Sequence, residues 1–280
     1  MKEIIVTGGE GFIGSHLVER LLKEGFFVRV IDDERVGNYK IEHDNVEYIN
    51  ADVATIEPVS IPRKFPVRAI FHLANSPRVR RSLEFPIDTL KNNIGTTLNV
   101  IEIAKVLDCP LFFSTSSSTK YVESNNPYTL SKKMCEDILI MFKSKFKLDT
   151  CMMYYYNVFG PGEANYGPYS TVIRRFKQKI QANESMVIFG DGSKSRAFTH
   201  VYDVVDGMME LLSCPFTPDE FHLGNSKSVS ILNVAKAFTR PFVFEKDVPG
   251  EAQETVCEKP MKCEYDVLHY IRTWVANNGR

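Results

Sequence analysis

The sequence lacks a charge bias. Its 280 residues carry 34 Lys plus Arg against 35 Asp plus Glu, so no global basic field draws it to nucleic acid or an acidic membrane surface. It also lacks an apolar run long enough to cross a bilayer. Six cysteines stand at 109, 135, 151, 214, 257 and 263, without a CxxC pair. With no histidine cluster beside them, nothing suggests a metal site or a disulfide framework, and reduced cysteines in a cytoplasmic protein are expected. The opening Met1-Lys2-Glu3-Ile4-Ile5-Val6 turns to Thr7-Gly8-Gly9 too soon for a signal peptide. There is no internal repeat and no low-complexity linker. At 44% apolar and 25% charged residues, the composition is that of a globular chain with room for a sizeable core.

What is present is alternation. Apolar runs at 4–6, 27–31, 69–73, 111–114, 151–156 and 221–223 read as strands. Helical patterns fall between them near 13–24, 89–107, 130–147 and 201–212. That order predicts an α/β fold, a doubly wound parallel sheet (Rossmann type) covered on both faces. After Gly160-Pro161-Gly162 the texture changes. A loop over 165–169, a basic helix over 170–182 and a short strand at 187–189 follow, and beyond 224 the pattern is short and irregular. The reading is a larger doubly wound domain, 1–162 plus 194–223, with a smaller α/β lobe, 163–193 plus 224–280.

The first strand runs into Thr7-Gly8-Gly9-Glu10-Gly11-Phe12-Ile13-Gly14, and a helix follows with Leu17, Leu21 and Leu22 on one face. Gly8 suits a tight turn, Gly11 lets a pyrophosphate approach the backbone, and Gly14 lets helix and strand pack closely. The setting between strand and helix is what makes the glycine triad specific for a dinucleotide. The second strand ends at Asp32, eighteen residues past Gly14. A carboxylate there accepts hydrogen bonds from ribose hydroxyls and repels a 2′-phosphate by about 4 kcal/mol at ~4 Å and effective dielectric ~20. NAD is therefore expected over NADP, with Arg35 the one residue that could pair with a 2′-phosphate. Asp52 lies between the second apolar run and the third.

Asn126-Pro127-Tyr128-Thr129-Leu130-Ser131-Lys132 opens a long helix, and Tyr128 and Lys132, four apart, share a face. An ammonium beside the phenol favours phenolate, and a drop of its pKa from ~10 to ~7 needs about 4 kcal/mol. Tyr128 would then serve as a general base. Upstream, Ser114-Thr115-Ser116-Ser117-Ser118-Thr119 runs off a strand end and offers hydroxyls to a substrate oxygen.

Together these segments resemble the extended short-chain dehydrogenase/reductases, in the NAD-dependent sugar-nucleotide epimerase/dehydratase family. Phe71-His72-Leu73-Ala74, Asn93-Ile94-Gly95-Thr96-Thr97-Leu98-Asn99, Asn157-Val158-Phe159-Gly160-Pro161-Gly162 and Phe189-Gly190-Asp191-Gly192-Ser193-Lys194-Ser195-Arg196 extend the resemblance over nearly the whole chain. It implies Ser117 as catalytic hydroxyl, Tyr128 as base, and Lys132 as the residue that binds Tyr128 and the nicotinamide ribose. For the cofactor it implies Gly8, Gly11, Phe12, Ile13, Gly14, Asp32, Asp52, Val53, Leu73, Ala74 and Asn93. For the substrate it implies Asn157, Val172, Arg196 and Thr255. It also implies a homodimer built on the helices near 93–107 and 131–146, and gives no metal, nucleic-acid or membrane partner.

Dehydratases and decarboxylases of that family place an acid one or two positions after the catalytic hydroxyl; here those positions are Ser118 and Thr119. The resemblance therefore implies a 4-epimerase acting through a 4-keto intermediate on a UDP-hexose or UDP-N-acetylhexosamine. A nucleotide-sugar reductase or dehydratase, and a non-catalytic NAD-binding regulator, are the alternatives. The chain departs from the family pattern at Val248, where an Arg is usual, at Ala197, where Asp is usual, and at Tyr154, where Arg is usual. Thr255 replaces a bulky Tyr of some relatives, which leaves room for an N-acetyl group. His72 and His200 are expected to be structural. Arg78, Arg80, Arg81, Arg174 and Arg175 read either as solvated charge or as phosphate contacts.

Overall fold

A computed structural model describes residues 1–37, 39–121, 125–163, 170–247 and 250–278. Val248 and the expected 165–169 loop lie outside the described residues.

Seven strands, β1 (Glu3–Thr7), β2 (Phe27–Asp32), β3 (Val46–Asn50), β4 (Val67–His72), β5 (Leu111–Ser116), β6 (Thr150–Tyr155) and β11 (Glu220–Leu223), form one sheet in the order β11-β6-β5-β4-β1-β2-β3. Every neighbouring pair is parallel. The strand order reverses between β1 and β4, and a crevice opens there at the carboxyl ends, the place where such sheets bind ligands.

Alternation along each strand sends side chains to opposite faces. Ile4 and Val6 pack with Leu17, Leu21, Val204 and Met208, from α1 (Phe12–Lys23) and α6 (Val201–Ser213). Ile5, Ile70 and Phe113 pack with Val100, Ile103, Cys135 and Leu139. These come from α3 (Pro86–Leu107) and α4 (Pro127–Phe146), and α2 (Val79–Glu84) precedes α3. Full burial on both faces is why β1 and β2 read as near-continuous apolar runs, whereas the edge strand β3 is only partly buried. Among the described residues no helix is long and apolar enough to cross a membrane.

The remaining elements are α5 (Val172–Gln181), β8 (Met186–Phe189), β9 (Ser195–Ala197), β12 (Ser228–Ser230), α7 (Ile231–Ala237), β13 (Phe242–Glu245) and α8 (Val267–Asn278), with the short β7 (Val158–Phe159) and β10 (Thr199–His200). They pair as β10-β7, β12-β9 and β13-β8. Ile173, Phe176, Ile188, Val234, Phe238 and Ile271 form a second core. So residues beyond 224 are more regular than expected. The signal for α8 is in the sequence: Val267, Leu268, Ile271, Trp274 and Val275 recur at helical spacing.

Candidate active site

The glycine-rich turn forms one end of a cleft of about 540 Å³. A Cβ on Gly14 would lie 2.1 Å from the Gly8 carbonyl oxygen, so only glycine lets α1 start against β1. Gly8 has φ +72°, and a Cβ there would lie 2.7 Å from the Ala74 nitrogen. The helix therefore presents its N-terminus, where unpaired N–H groups favour an anion. Gly8, Gly11, Phe12, Ile13, Gly14, Asp32, Asp52, Val53, Leu73 and Ala74 all line the cleft.

The Asp32 carboxylate is aimed by two backbone donors: Glu10 N–H gives to Oδ2 at 2.9 Å and Glu34 N–H to Oδ1 at 3.0 Å. Arg35 does not stand ready for a 2′-phosphate. It is held by Asp33 at 2.8 Å and Asp52 at 2.6 Å. With Asp32 added, acids outnumber bases at this end, which suits ribose hydroxyls and disfavours a further phosphate. Asn93 differs from expectation. It is fully buried behind the wall, where it accepts Ser76 N–H at 2.7 Å and donates to Ser131 at 2.8 Å. It braces the loop after β4 rather than lining the cleft.

At the middle of the cleft stand Tyr128 and Lys132, on the first turns of α4. Asn126 caps that helix by accepting Thr129 N–H at 2.9 Å, and Pro127 occupies its first position. Burial raises the Tyr128 phenol above its ordinary value. The nearby Ser116 hydroxyl and the field of Arg78 pull it down, while Glu136 pushes it up.

The hydroxyl that draws the Tyr128 phenol down is that of Ser116, the last residue of β5; Ser117, the expected hydroxyl, begins the next turn, and both line the cleft. Arg78 also bears on the phenol through its field. The Lys132 ammonium instead donates to Asn75 Oδ1 at 2.6 Å and to the Ser114 carbonyl at 2.9 Å. Burial lowers it to about 8. From Ser116 a row of hydroxyls continues: Ser118 lies 2.9 Å away, and Thr129 donates to Ser118 at 3.0 Å.

Glu136, one turn beyond Lys132, was not legible as part of the site. It accepts from Thr115 and, at 2.8 Å, from Thr119. Burial raises its carboxyl, and it is absent from the cleft lining. His72 is structural as expected: it shares a 2.7 Å hydrogen bond with Thr7, and burial lowers it to about 3. Among the described residues no group of three His, Cys, Asp or Glu could hold a metal ion.

Asn157, Val172, Arg196 and Thr255 all line the far half of the cleft. Asn157 sits at φ +31° and accepts from the Thr255 hydroxyl at 3.4 Å. Arg196 is tied to Glu251 at 3.2 Å and donates to the Ser195 carbonyl at 2.8 Å. Arg78, Arg80, Arg81 and Arg175 line the cleft as well, while Arg174 does not; Arg81 is paired with Asp88 at 2.7 Å.

Residues 4–224 match the NAD dependent epimerase/dehydratase family. A UDP-glucose 4-epimerase of Mycolicibacterium smegmatis is 31% identical over 224 residues, 73% of this chain and 71% of that protein. UDP-glucuronic acid decarboxylase 1 of Xenopus tropicalis is 30% identical over 84% of this chain, which spans only 59% of that protein. A UDP-N-acetylglucosamine 4-epimerase from Methanobrevibacter ruminantium, solved in complex with UDP-N-acetylmuramic acid, superposes with TM-score 0.87. It is 26% identical and covers 99% of this chain and 100% of its own.

Proposed function

The chain belongs to the NAD dependent epimerase/dehydratase family, and within it we propose a 4-epimerase of a UDP-sugar. The observation that supports this is that Tyr128 and Ser116 both line the cleft beside the dinucleotide turn, with no acid at Ser118 or Thr119. Glu136 is absent from the cleft lining and is engaged by the Thr115 and Thr119 hydroxyls. UDP as the nucleotide is drawn from the relatives.

The turn at Gly8–Gly14, Asp32 and the strip Leu73–Ala74 would hold NAD, whose chemistry when bound is to accept a hydride reversibly. Ser116 orients the C4 hydroxyl of the sugar. Tyr128 takes its proton as a phenolate, and Arg78 supplies the field that favours that form. The hydroxyls of Ser118 and Thr129 offer the proton a way onward. After the 4-keto sugar turns in the cleft, Tyr128 returns a proton to the oxygen. Lys132 fixes the loop carrying Asn75 and the end of β5, and faces the cleft where a nicotinamide ribose would lie. Asn157, Val172, Arg196 and Thr255 bound the substrate half, and Thr255 leaves space for an acetamido group at C2. We assign the two lobes as 1–162 with 194–223 and 163–193 with 224–280, with the substrate between them.

We also propose a homodimer. Leu98 and Val106 on α3, and Leu130, Met134, Ile140 and Phe146 on α4, are exposed, and an apolar surface of that kind is matched by a second copy.

The purified protein should convert a UDP-sugar to its C4 epimer without added reduced cofactor. Release of a dehydrated keto sugar or of a UDP-pentose would count against the epimerase reading.

A further inference from the structure

A strap of chain, residues 250–257, runs along one side of the cleft and places Gly250, Glu251, Ala252 and Thr255 on its wall. One edge of the strap is zipped to β9. Ser195 N–H donates to the Gln253 carbonyl at 3.0 Å, Thr255 N–H to the Ser195 carbonyl at 3.1 Å, and Ala197 N–H to the Thr255 carbonyl at 3.1 Å. Those bonds fix the local course of the strap. They do not set its distance from Ser116 and Tyr128, which come from β5 and α4.

Two side chains set that distance. Tyr121 stands just past the short turn that follows Ser116. Its phenol donates to the Val256 carbonyl at 2.7 Å and accepts Val256 N–H at 2.7 Å. It thus satisfies both backbone groups of that residue, as a neighbouring strand would. At the other end of the strap, Asn126 Nδ2 donates to the Gly250 carbonyl at 2.9 Å. The same side chain accepts Thr129 N–H through Oδ1 and so caps α4 two residues before Tyr128.

A helix cap needs only an acceptor oxygen, which serine or aspartate supplies as well as asparagine. The amide nitrogen is what asparagine adds, and here it goes to the strap. The approach is close. Gly250 stands at φ +78°, and a Cβ there would lie 2.9 Å from the Asn125 carbonyl oxygen. Neither Tyr121 nor Asn126 is part of the cleft lining, so neither meets a ligand directly. A displacement of about 1 Å at a reacting centre costs on the order of a hundredfold in rate. The span from Thr255 to the Tyr128 phenol therefore matters for any sugar held between them.

We propose that Asn126 and Tyr121 are positioning residues for proton transfer at Tyr128. They clasp the strap to both ends of the link between Ser116 and Tyr128, and so hold a sugar seated against Thr255 in register with the phenol. The inference rests on the epimerase reading of this cleft.

The test uses the full chain loaded with NAD, with UDP-glucose and UDP-N-acetylglucosamine as substrates. The variants are Asn126→Ser, Tyr121→Phe and the two combined. Asn126→Ser keeps the cap and loses the donor to Gly250, so its melting temperature should match the parent's. In each single variant kcat should fall about tenfold to a hundredfold. Affinity for UDP, read by calorimetry, should stay within about threefold. The pH at which the rate climbs should not move, because neither change alters the charge around Tyr128. Both act through one strap, so the double variant should be little slower than the slower single one. Parent-like kcat in both single variants overturns the inference and leaves the epimerase reading standing. So does a rate loss that tracks a fall in melting temperature or in UDP affinity, or a double variant whose loss is the product of the two. A parent chain that converts neither sugar removes the epimerase reading and the inference with it.

Discussion

The Ser116 hydroxyl and the Tyr128 phenol line the same cleft, and the serine draws the phenol down, which sets the last residue of β5 against the first turn of α4. Strand alternation explains why it is this serine: β5 ends at Ser116, and the chain turns into a short 3-10 segment at Ser117. Replacing Ser116 with Ala should lower kcat by about a hundredfold or more, the usual worth of a positioned proton-transfer partner. Ser117→Ala should cost less than about tenfold. Steady-state kinetics of the two variants, compared at equal stability, check the assignment. The reverse order would restore Ser117.

Arg78 lowers the Tyr128 phenol and burial raises it. A base must be deprotonated to act, so the rate should climb with pH to a plateau. Removing Arg78 raises the phenol and moves that climb to higher pH. Lys132→Met should not move it in this way, since Lys132 is bonded to Asn75 and the Ser114 carbonyl. Its loss leaves those two acceptors unsatisfied and should cost about 1–3 kcal/mol of stability. pH–rate profiles and denaturant melts of both variants separate the two effects.

Gly14→Ala tests the dinucleotide turn. The new Cβ would meet the Gly8 oxygen at 2.1 Å and the Gly9 Cα at 2.7 Å, backbone atoms that cannot swing aside. NAD affinity should fall at least a hundredfold, read by calorimetry. Gly25→Ala makes a contrasting control because a Cβ there meets nothing within 4 Å; its left-handed φ costs stability, and NAD binding should survive.

His72 gives a pH dependence of stability. It is buried and neutral, lowered to about 3 from an ordinary 6.5. Between those values the unfolded chain binds the proton and the folded one does not, so stability rises with pH across the window and is lost as pH falls from 6.5 toward 3. The contribution is about 1.4 kcal/mol per pH unit at most. Chemical melts from pH 7 to 4.5 should show it, and His72→Asn should flatten the slope.

The proposed dimer predicts a particle of twice the 31.9 kDa chain mass in light scattering. Leu98→Glu combined with Met134→Glu should give monomers without loss of the melting transition. A monomeric parent chain would rule the interface out.

Much of this was legible in sequence because local patterns carried it. The glycine turn, Asp32 at the end of β2, and Tyr128 with Lys132 on α4 depend on spacing within one element or one turn. Ser116 was not separable from Ser117, since six successive hydroxyl residues give composition no register. Arg78 and Tyr128 lie fifty positions apart, and nothing local signals that an arginine at φ +91° faces a phenol. Asn93 belongs to a family motif, but motif membership does not tell a brace from a contact. The pairing of Arg35 with Asp33 and Asp52 likewise needed the fold, because β2 and β3 bring those acids together.

The proposed reaction is oxidation and reduction at one carbon, the C4 of a sugar facing Ser116 and Tyr128. Its most direct test is turnover of a UDP-sugar deuterated at C4, followed by proton and deuterium NMR. Both epimers should appear with deuterium still on C4, and Tyr128→Phe should abolish the exchange of one for the other. Deuterium lost to water, or found at another carbon of a dehydrated or decarboxylated product, would contradict it.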